Sequence, residues 1–382
     1  GDSAAGVTAL RCSISPESRY LDTVKVRTAL HTLNDPCIIF EPKAYHDVIR
    51  HLLNQTGSCE IVRGQSFLEI EGDKRERIHA IQLEDGTVHT ARFWIDATDG
   101  RLCVANEWRY QRGQESRDVY QEPSAPEEEV LNVVPMDISL IFRIRRKETE
   151  AVDKLPADIP EDIWWTEELP GLEMVQYPNG DWNCRMFWTM RGEEYQRTPP
   201  AAAYQECYRR IRNYWYHLQQ RDPEYRQYSI CWFGSALEIR DSLRILTEKI
   251  VTEHTLLRSA DEESEGIAVC DYPDAGNGNV FAIPAGSLLP VGSRNVLIAS
   301  RSSGFSRIAS RVIDSQRVVM QLGQAAGAWV ALALRKGTND LRDVPVDELR
   351  EELTKQHVQL QAECPDSLSA FMLEEDPLPV QD

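Results

Sequence analysis

The first part of the chain has apolar positions at helical spacing and then at strand spacing. Residues 41–53 predict an amphipathic helix, and Pro42 suits its first turn. Residues 59–62 and 66–71 are rich in apolar and β-branched side chains and predict a strand or a strand pair. The pattern therefore predicts a helix followed by the beginning of a sheet.

A hairpin signal follows. Residues 77–83 and 87–95 flank Glu84-Asp85-Gly86, a sequence typical of a tight turn between two strands. The second arm runs into residues 93–100, FWIDATDG, where Thr98 can bond to the backbone and Gly100 can adopt a positive φ. This segment predicts a strand that ends in a turn, which is either a plain connection or a turn that approaches a ligand.

The middle of the chain predicts an antiparallel sheet with one long helix. Residues 137–144 alternate between apolar and polar positions, and residues 173–177 and 181–188 flank a Pro-Asn-Gly turn. Residues 199–220 place large apolar side chains on one helical face after two prolines.

The closing part predicts strands at residues 267–272, 281–284 and 295–300, then a long polar loop and a helix of small residues. That helix contains the sequence GQAAG at residues 323–327. We expect its glycines and alanines to keep one helix face thin, so that a flat ligand or a neighbouring strand can approach. A tightly packed helix without a ligand would use the same residues.

Composition removes several classes of function. A net charge of −19 argues against nonspecific nucleic-acid binding and against binding to an anionic membrane surface. No apolar run reaches the 18 or so residues of a membrane span. The nine cysteines are an odd number without a CxxC pair, which argues against zinc, an iron–sulfur cluster or a redox dithiol. We therefore predict no metal site, no nucleic-acid partner and no membrane span.

Three motifs occur in a family order. They are FWIDATDG at residues 93–100, EIRDSLRI at 238–245, and the strand, loop and small-residue helix at 295–327. The chain resembles FAD-dependent oxidoreductases with a glutathione-reductase-like flavin fold, in the branch of heterodisulfide-reductase A-like proteins. The resemblance implies an α/β class, mixed α+β overall, with a discontinuous, doubly wound Rossmann-like FAD domain and an inserted antiparallel-sheet substrate domain.

The same resemblance implies domain boundaries. Residues 1–120 would be the first part of the FAD domain, 121–265 the substrate domain, 266–345 the closing part of the FAD domain, and 346–382 a C-terminal helix with an acidic tail. A strand–GxGxxG–helix unit is missing from the sequence, although the family begins with one. We therefore expect an amino-terminally truncated fragment that lacks a unit of roughly 30 residues and is inactive alone.

The site residues carried over from the matching motifs fall into two groups. Arg240 and Arg244 would lie near the isoalloxazine or the substrate and supply positive charge and planar donors. The residues expected to bind FAD are Val62, Thr98, Gly100, Arg301, Gln316, Gly323, Gln324 and Ala325. The resemblance further implies a small-molecule substrate, flavin-mediated hydride or electron transfer, and a redox partner or a homo-oligomer. The scattered cysteines favour a cytoplasmic location.

Departures from the family pattern keep two alternatives open. Asp99, Asp314 and Arg317 stand where the family has other residues, so FAD binding could be altered or lost. The chain could then be a non-catalytic scaffold or partner-binding descendant of the fold, or one chain of a split flavoenzyme. A catalytic base is not identified, because none of the eight histidines lies in a flavin motif.

Overall fold

The chain mixes helices and strands along its length and divides into two compact units. The computed structural model describes residues 9–11, 37–39, 42–130, 138–166, 169–177, 179–186, 188–239, 243–272, 279–313 and 316–363. Of these, residues 9–11, 37–39, 42–59 and 138–239 belong to the first unit, and residues 60–130 and 243–363 to the second. The predicted mixed α/β class is confirmed.

The strands and α-helices have the following bounds. The strands are β1 (Ala9–Arg11), β2 (Cys37–Ile39), β3 (Phe67–Asp73), β4 (Arg77–Leu83), β5 (Val88–Thr90), β6 (Trp94–Asp96), β7 (Tyr110–Gln111), β8 (Ile138–Ser139), β9 (Phe142–Arg146), β10 (Leu172–Gln176), β11 (Trp182–Met186), β12 (Tyr228–Phe233), β13 (Glu238–Ile239), β14 (Arg244–Ile245), β15 (Gly266–Tyr272), β16 (Asn279–Pro284) and β17 (Val296–Ile298). The helices are α1 (Pro42–Gln55), α2 (Arg101–Ala105), α3 (Arg117–Tyr120), α4 (Gly192–Arg197), α5 (Pro200–Arg221), α6 (Glu253–Leu256), α7 (Arg307–Val312), α8 (Gln316–Lys336) and α9 (Val346–Lys355).

A four-stranded antiparallel sheet, in the order β10-β11-β9-β12, forms the base of the first unit. Alternate residues on β9 and β11 are fully buried and pack with the apolar face of α5, among them Phe142, Ile144, Cys184 and Met186. The rings of Phe142 and Trp215 meet edge to face with their centroids 6.2 Å apart. This is the antiparallel sheet that the sequence predicts for the middle of the chain.

The local predictions in this unit are mostly confirmed. Strands β10 and β11 pair across a turn in which Gly180 has a φ of 86°, and α5 covers the predicted helix. The single strand predicted at residues 137–144 is wrong, because the structure divides it into β8 and β9. The division occurs because β8 pairs with β13, whereas β9 pairs with β11 and β12.

The second unit contains a parallel pair of strands, β6 and β17, with Asp96 opposite Ile298. The Asn295 side chain connects this pair to β4. Its Nδ2 donates to the carbonyls of Ile78 (2.8 Å) and Arg92 (3.1 Å), and its Oδ1 accepts from the Ile78 amide. Among the described strands this is the one parallel pair, and Val251 and Phe305 form a single parallel bridge, so the doubly wound arrangement stays a prediction.

Two strand predictions in the second unit are wrong. Residues 59–62 form no strand, because they lie in an irregular segment between Gly57 and Gly64, which both have a positive φ. The arm predicted at residues 87–95 is two strands, since β5 pairs with β4 while β6 pairs with β17. The predicted hairpin turn is confirmed, and Gly86 has a φ of 85°.

Helix α8 is long and apolar enough to cross a membrane. Residues Val318–Lys336 have a mean hydropathy of 1.2 and are long enough to span a bilayer. In the second unit, however, Val318, Leu322 and Trp329 of this helix are buried in the apolar core. A core helix therefore accounts for this length and hydropathy as well as a membrane span does.

Candidate functional site

The candidate site lies at the carboxyl ends of β6 and β17, in the second unit. Parallel strands bring these ends to the same edge of a sheet, where α/β proteins bind ligands. Each strand leads into a turn. We call residues 96–100 the carboxylate turn and residues 300–306 the serine loop.

One buried side chain organises the carboxylate turn. The Asp96 Oδ1 accepts from the Thr98 amide (2.8 Å) and the Thr98 hydroxyl (2.6 Å), and its Oδ2 accepts from the Cys103 amide (2.9 Å). The backbone then passes through two positive φ angles, 56° at Asp99 and 80° at Gly100. A Cβ on Gly100 would lie 2.7 Å from Leu243 Cδ1, so glycine suits both the conformation and the space.

Hydroxyl groups organise the serine loop. The Ser303 hydroxyl donates to the carbonyls of Ser300 (2.8 Å) and Ile298 (3.1 Å), and the Ser300 hydroxyl accepts from the Ser302 amide (3.1 Å). The loop is also paired with residues 245–251, since the Ile245 amide donates to the Ser302 carbonyl. All the serines named here are buried.

Neighbouring atoms fill the space beside Gly304 of the serine loop. The Gly304 carbonyl accepts from the Val251 amide at 2.8 Å. A Cβ at Gly304 would lie 1.7 Å from the Thr247 Oγ1 and 2.6 Å from the Lys249 carbonyl. Glycine is therefore required here by close backbone approach.

Two buried carboxylates contact the start of α7, and a third, Glu253, lies beside one of them. Glu115 Oε2 accepts from the Arg307 amide (3.0 Å), in the first turn of α7. Glu122 Oε1 accepts from the amide of Glu253 (2.7 Å) and from the hydroxyl of Ser306, the residue that caps α7. The Glu253 carboxylate accepts from the amide and hydroxyl of Ser124. Acidic groups are favourable at a helix start, where backbone amides lack partners.

Arg244 lies within this carboxylate cluster and is 1% exposed. Its Nη2 donates to Glu115 Oε1 and to the Gly113 carbonyl, both at 2.7 Å. Its Nε and Nη1 have no hydrogen-bond partner among the described residues. Burial of two unpaired donors is costly, so this arginine has donors left for a further acceptor.

Burial shifts the proton affinity of several groups in the cluster. It raises the pKa of the Glu122 carboxyl, and the nearby Glu115 and Glu253 charges act in the same direction, against the hydrogen bonds from Ser306 and the Glu253 amide. Burial and the Glu115 charge raise the pKa of Tyr120 to about 12, so its hydroxyl, which donates to Gln111, keeps its proton.

Helix α8 divides its small residues between two faces. Gly323, Gln324 and Gly327 are exposed, and a Cβ on either glycine would meet no atom within 4 Å. Ala325 and Ala326 are fully buried in the core. The prediction that all four small residues share one thin face is wrong, because positions four apart share a helix face, whereas Ala325 lies on the opposite side.

The remaining predicted residues are placed as follows. Thr98 and Gly100 lie in the carboxylate turn, and Arg301 lies in the serine loop and is half-buried. Val62 is 48% exposed in an irregular segment. Gln316 is the first residue of α8. Arg240 and Asp314 lie outside the described residues, so their predicted roles stay predictions.

The sequence analysis missed the cluster of Glu115, Glu122 and Glu253. Local sequence carries little sign of it, because the partners of Glu115 lie 129 and 192 positions away. Helix α7 was also missed, although a serine before it, Ser306, is a typical helix cap. In the part of the chain that the structure describes, no group of three or more His, Cys, Asp or Glu side chains is placed to hold a metal ion, and six cysteines form no disulfide.

Among solved structures, the chain matches flavoproteins at low identity and low TM-score. A myxobacterial chondrochloren halogenase gives a TM-score of 0.39 at 9% identity, covering 84% of this chain and 57% of its own. A flavin-dependent halogenase from Brevundimonas sp. BAL3 gives 0.33 at 10% identity, covering 91% and 54%. A probable FAD-dependent monooxygenase from Pseudomonas aeruginosa gives 0.32 at 11% identity, covering 88% and 70%. The chain thus spans little more than half the length of the two halogenases.

The family comparison covers much more of this chain. No match was found among curated protein sequences. The family of FAD dependent oxidoreductases, in contrast, matches residues 10–353 of the 382. That range contains the carboxylate turn, the serine loop and most of the described residues. The chain therefore belongs to the family of FAD-dependent oxidoreductases, whose cofactor is FAD.

Proposed function

We propose that the chain forms the flavin-binding and substrate-binding parts of an FAD-dependent oxidoreductase that acts on a small molecule. The observation that carries this proposal is the meeting of the carboxylate turn and the serine loop at the carboxyl ends of two parallel strands. Family membership over residues 10–353 supports the same reaction class.

Three features of the second unit fit FAD, two of them beside this strand edge and one on α8. Gly100 has no Cβ, and a Cβ at this position would contact Leu243. Gly323 and Gly327 leave open space on the exposed face of α8. Arg244 has two buried donors without a partner. When bound, FAD supplies the hydride or electron acceptor, and the protein supplies orientation and electrostatics.

Roles for individual residues follow from these placements. Thr98 and Gly100 would bind near the diphosphate or ribityl part, and Gln316, Gly323 and Gln324 near the flavin. Ala325 would act only by packing α8 against the core, since it is fully buried.

The arginines would contact the flavin or the substrate, and Val62 would contact the adenine. Arg244 would donate hydrogen bonds rather than add a full positive charge, because Glu115 already neutralises it at 2.7 Å. Arg240 would lie near the substrate, and Arg301 near the flavin. Val62 would contribute backbone contacts to adenine.

The finer assignments belong to the same proposal. We assign the chain to the heterodisulfide-reductase A-like branch, with the functional boundaries at residues 120, 265 and 345. A cytoplasmic location and a redox partner or homo-oligomer go with this assignment.

A flavin test decides the proposal. The protein is extended upstream in its reading frame, purified, and its visible absorbance is recorded before and after addition of dithionite. A bound flavin that is bleached by dithionite supports the oxidoreductase. A colourless protein that binds no added FAD contradicts it and favours the non-catalytic scaffold.

A matched pair of glycine variants locates the flavin. Gly100→Ala places a methyl group in the carboxylate turn, whereas Gly86→Ala does so at a similar φ in an exposed hairpin with open space. We expect Gly100→Ala to weaken FAD binding and Gly86→Ala to leave it unchanged, as measured by FAD titration. Equal affinities in the two variants would count against the assigned position.

A further inference from the structure

Glu115 uses both oxygens of its carboxylate, each on a different part of the second unit. Its Oε1 accepts from Arg244 Nη2 (2.7 Å), and its Oε2 accepts from the Arg307 amide (3.0 Å). The side chains of Glu115 and Arg244 are 3% and 2% exposed, so their ion pair is little screened by water. One buried side chain therefore joins two segments that lie far from it in the sequence.

The first of these segments, with Arg244, supports the carboxylate turn. Arg244 is the first residue of β14 and stands between Leu243 and Ile245 in the chain. Both neighbours lie directly against the turn, since a Cβ on Gly100 would be 2.7 Å from Leu243 Cδ1 and 3.2 Å from Ile245 Cδ1. A bond that holds Arg244 in place therefore also holds the strand that supports Gly100.

The second segment, with Arg307, continues the serine loop. Arg307 follows Ser306, which is the last residue of that loop and the cap of α7. The loop is bonded to β14 as well, because the Ile245 amide donates to the Ser302 carbonyl at 2.8 Å. Glu115 thus bonds to one residue beside each of the two turns that carry proposed flavin contacts.

The other two carboxylates of the cluster do not make this connection. Glu122 accepts from the Ser306 hydroxyl and the Glu253 amide, so it contacts the serine loop but not β14. The Glu253 carboxylate accepts from the amide and hydroxyl of Ser124 and contacts neither turn. Of these three carboxylates, Glu115 is the one that is paired with an arginine of the proposed flavin site.

We propose that Glu115 is a positioning residue of the flavin site, an inference that rests on the proposed function. Through Arg244 and the start of α7, it keeps the carboxylate turn and the serine loop at a fixed separation. It also neutralises Arg244, so the net charge that this arginine presents to the flavin is small. Glu115 itself is 2% exposed, and it acts on the flavin only through these partners.

Two substitutions separate the position of the Glu115 carboxylate from its charge. Glu115→Gln keeps the length of the side chain but replaces one acceptor oxygen with a donor group, so one bond is lost and Arg244 is no longer neutralised. Glu115→Asp keeps the charge but is one methylene shorter, so it cannot reach both partners. The FAD dissociation constant and the flavin reduction potential are measured for each variant, in the same protein as in the flavin test.

The two variants should differ in one of these measurements. We expect both to bind FAD about tenfold more weakly than the natural chain, because each loses a charge-assisted hydrogen bond. The potential should rise in Glu115→Gln, since an arginine without its carboxylate favours the negative charge of reduced flavin, and should stay close to the natural value in Glu115→Asp. If Glu115→Gln does not fold, the FAD affinity of Glu115→Asp alone decides the positioning role.

Glu253→Gln is the matched control, because it also removes a buried carboxylate of the cluster, but one that bonds to neither turn. Its FAD affinity should stay within about twofold of the natural value, and its potential should not rise. An unchanged affinity in Glu115→Asp, or equal affinities and potentials in Glu115→Gln and Glu253→Gln, would overturn the inference and leave the proposed function standing. A natural chain that takes up no FAD would overturn both.

Discussion

The carboxylate turn and the serine loop occupy equivalent places after β6 and β17, yet their backbones are held by different chemistry. In the carboxylate turn, a single side chain, Asp96, accepts three hydrogen bonds. In the serine loop, the Ser300 hydroxyl accepts one hydrogen bond and the Ser303 hydroxyl donates two. The backbone of this loop also pairs with residues 245–251. The first turn should therefore be sensitive to one side chain, and the second to the space its backbone occupies.

The largest expected effect tests the space around the serine loop. Gly304→Ala should lower the free energy of unfolding by about 3 kcal/mol, because its Cβ would overlap Thr247 Oγ1 and the Lys249 carbonyl. The measurement is denaturant unfolding. Gly323→Ala is the control, since its Cβ would meet no atom and alanine favours a helix by about 0.5–1 kcal/mol. Similar stability of the two variants would show that the loop can relax.

The next effect tests the single carboxylate. Asp96→Asn should cost about 2–3 kcal/mol in unfolding free energy, since the amide loses charged hydrogen bonds and its NH₂ group opposes an amide donor. Asp85 is a matched control, because it makes the same two bonds to Thr87 in an exposed turn. Asp85→Asn should change stability little. If both variants lose equal stability, burial of Asp96 is unimportant.

A smaller effect is expected from one hydroxyl of the serine loop. Ser303→Ala should cost about 1–2 kcal/mol, because two carbonyls lose a donor in a buried place. Ser310→Ala removes a hydroxyl that donates to a carbonyl within a helix and should stay within about 0.5 kcal/mol of the natural chain. Thermal unfolding measures both. A loss at Ser303 as large as that at Asp96 would remove the distinction between the two turns.

The smallest effect is a dependence on pH, and it involves the carboxylate that touches the serine loop. Burial raises the pKa of Glu122 above 4.5, so the folded state holds its proton more tightly than the unfolded state. This stabilisation is complete below pH 4.5 and is lost as the pH rises through the higher folded pKa. As the pH rises, the free energy of unfolding should therefore fall more steeply in the natural chain than in Glu122→Gln. The exposed Glu84→Gln should keep the steeper fall.

Local signals predicted the elements that depend on local chemistry. The turns at Gly86 and Gly180, the long helix α5 and the helix α9 follow from turn residues, prolines and helical spacing. The ends of β6 and β17 were predicted as well, and with them the place of the candidate site.

Features that depend on distant partners were not predicted. The break between β5 and β6 arises because each pairs with a different strand, and residues 59–62 lack a strand partner among the described residues. The sequence analysis assigned no role to Glu115 or Glu122. Their partners on α7 lie 192 and 184 positions along the chain, so no local pattern reports them.

Glu115 and Glu122 each bond to two separate segments, and this restricts how their loop can open. The segment that carries them has little regular structure, and such segments usually open freely. Here each carboxylate is bonded both to α7 and to a second segment, Glu115 to Arg244 and Glu122 to Glu253. An opening of this loop must therefore release the start of α7 at the same moment. In hydrogen exchange, the amides of Glu253 and Arg307 should become accessible together and slowly, as one cooperative unit.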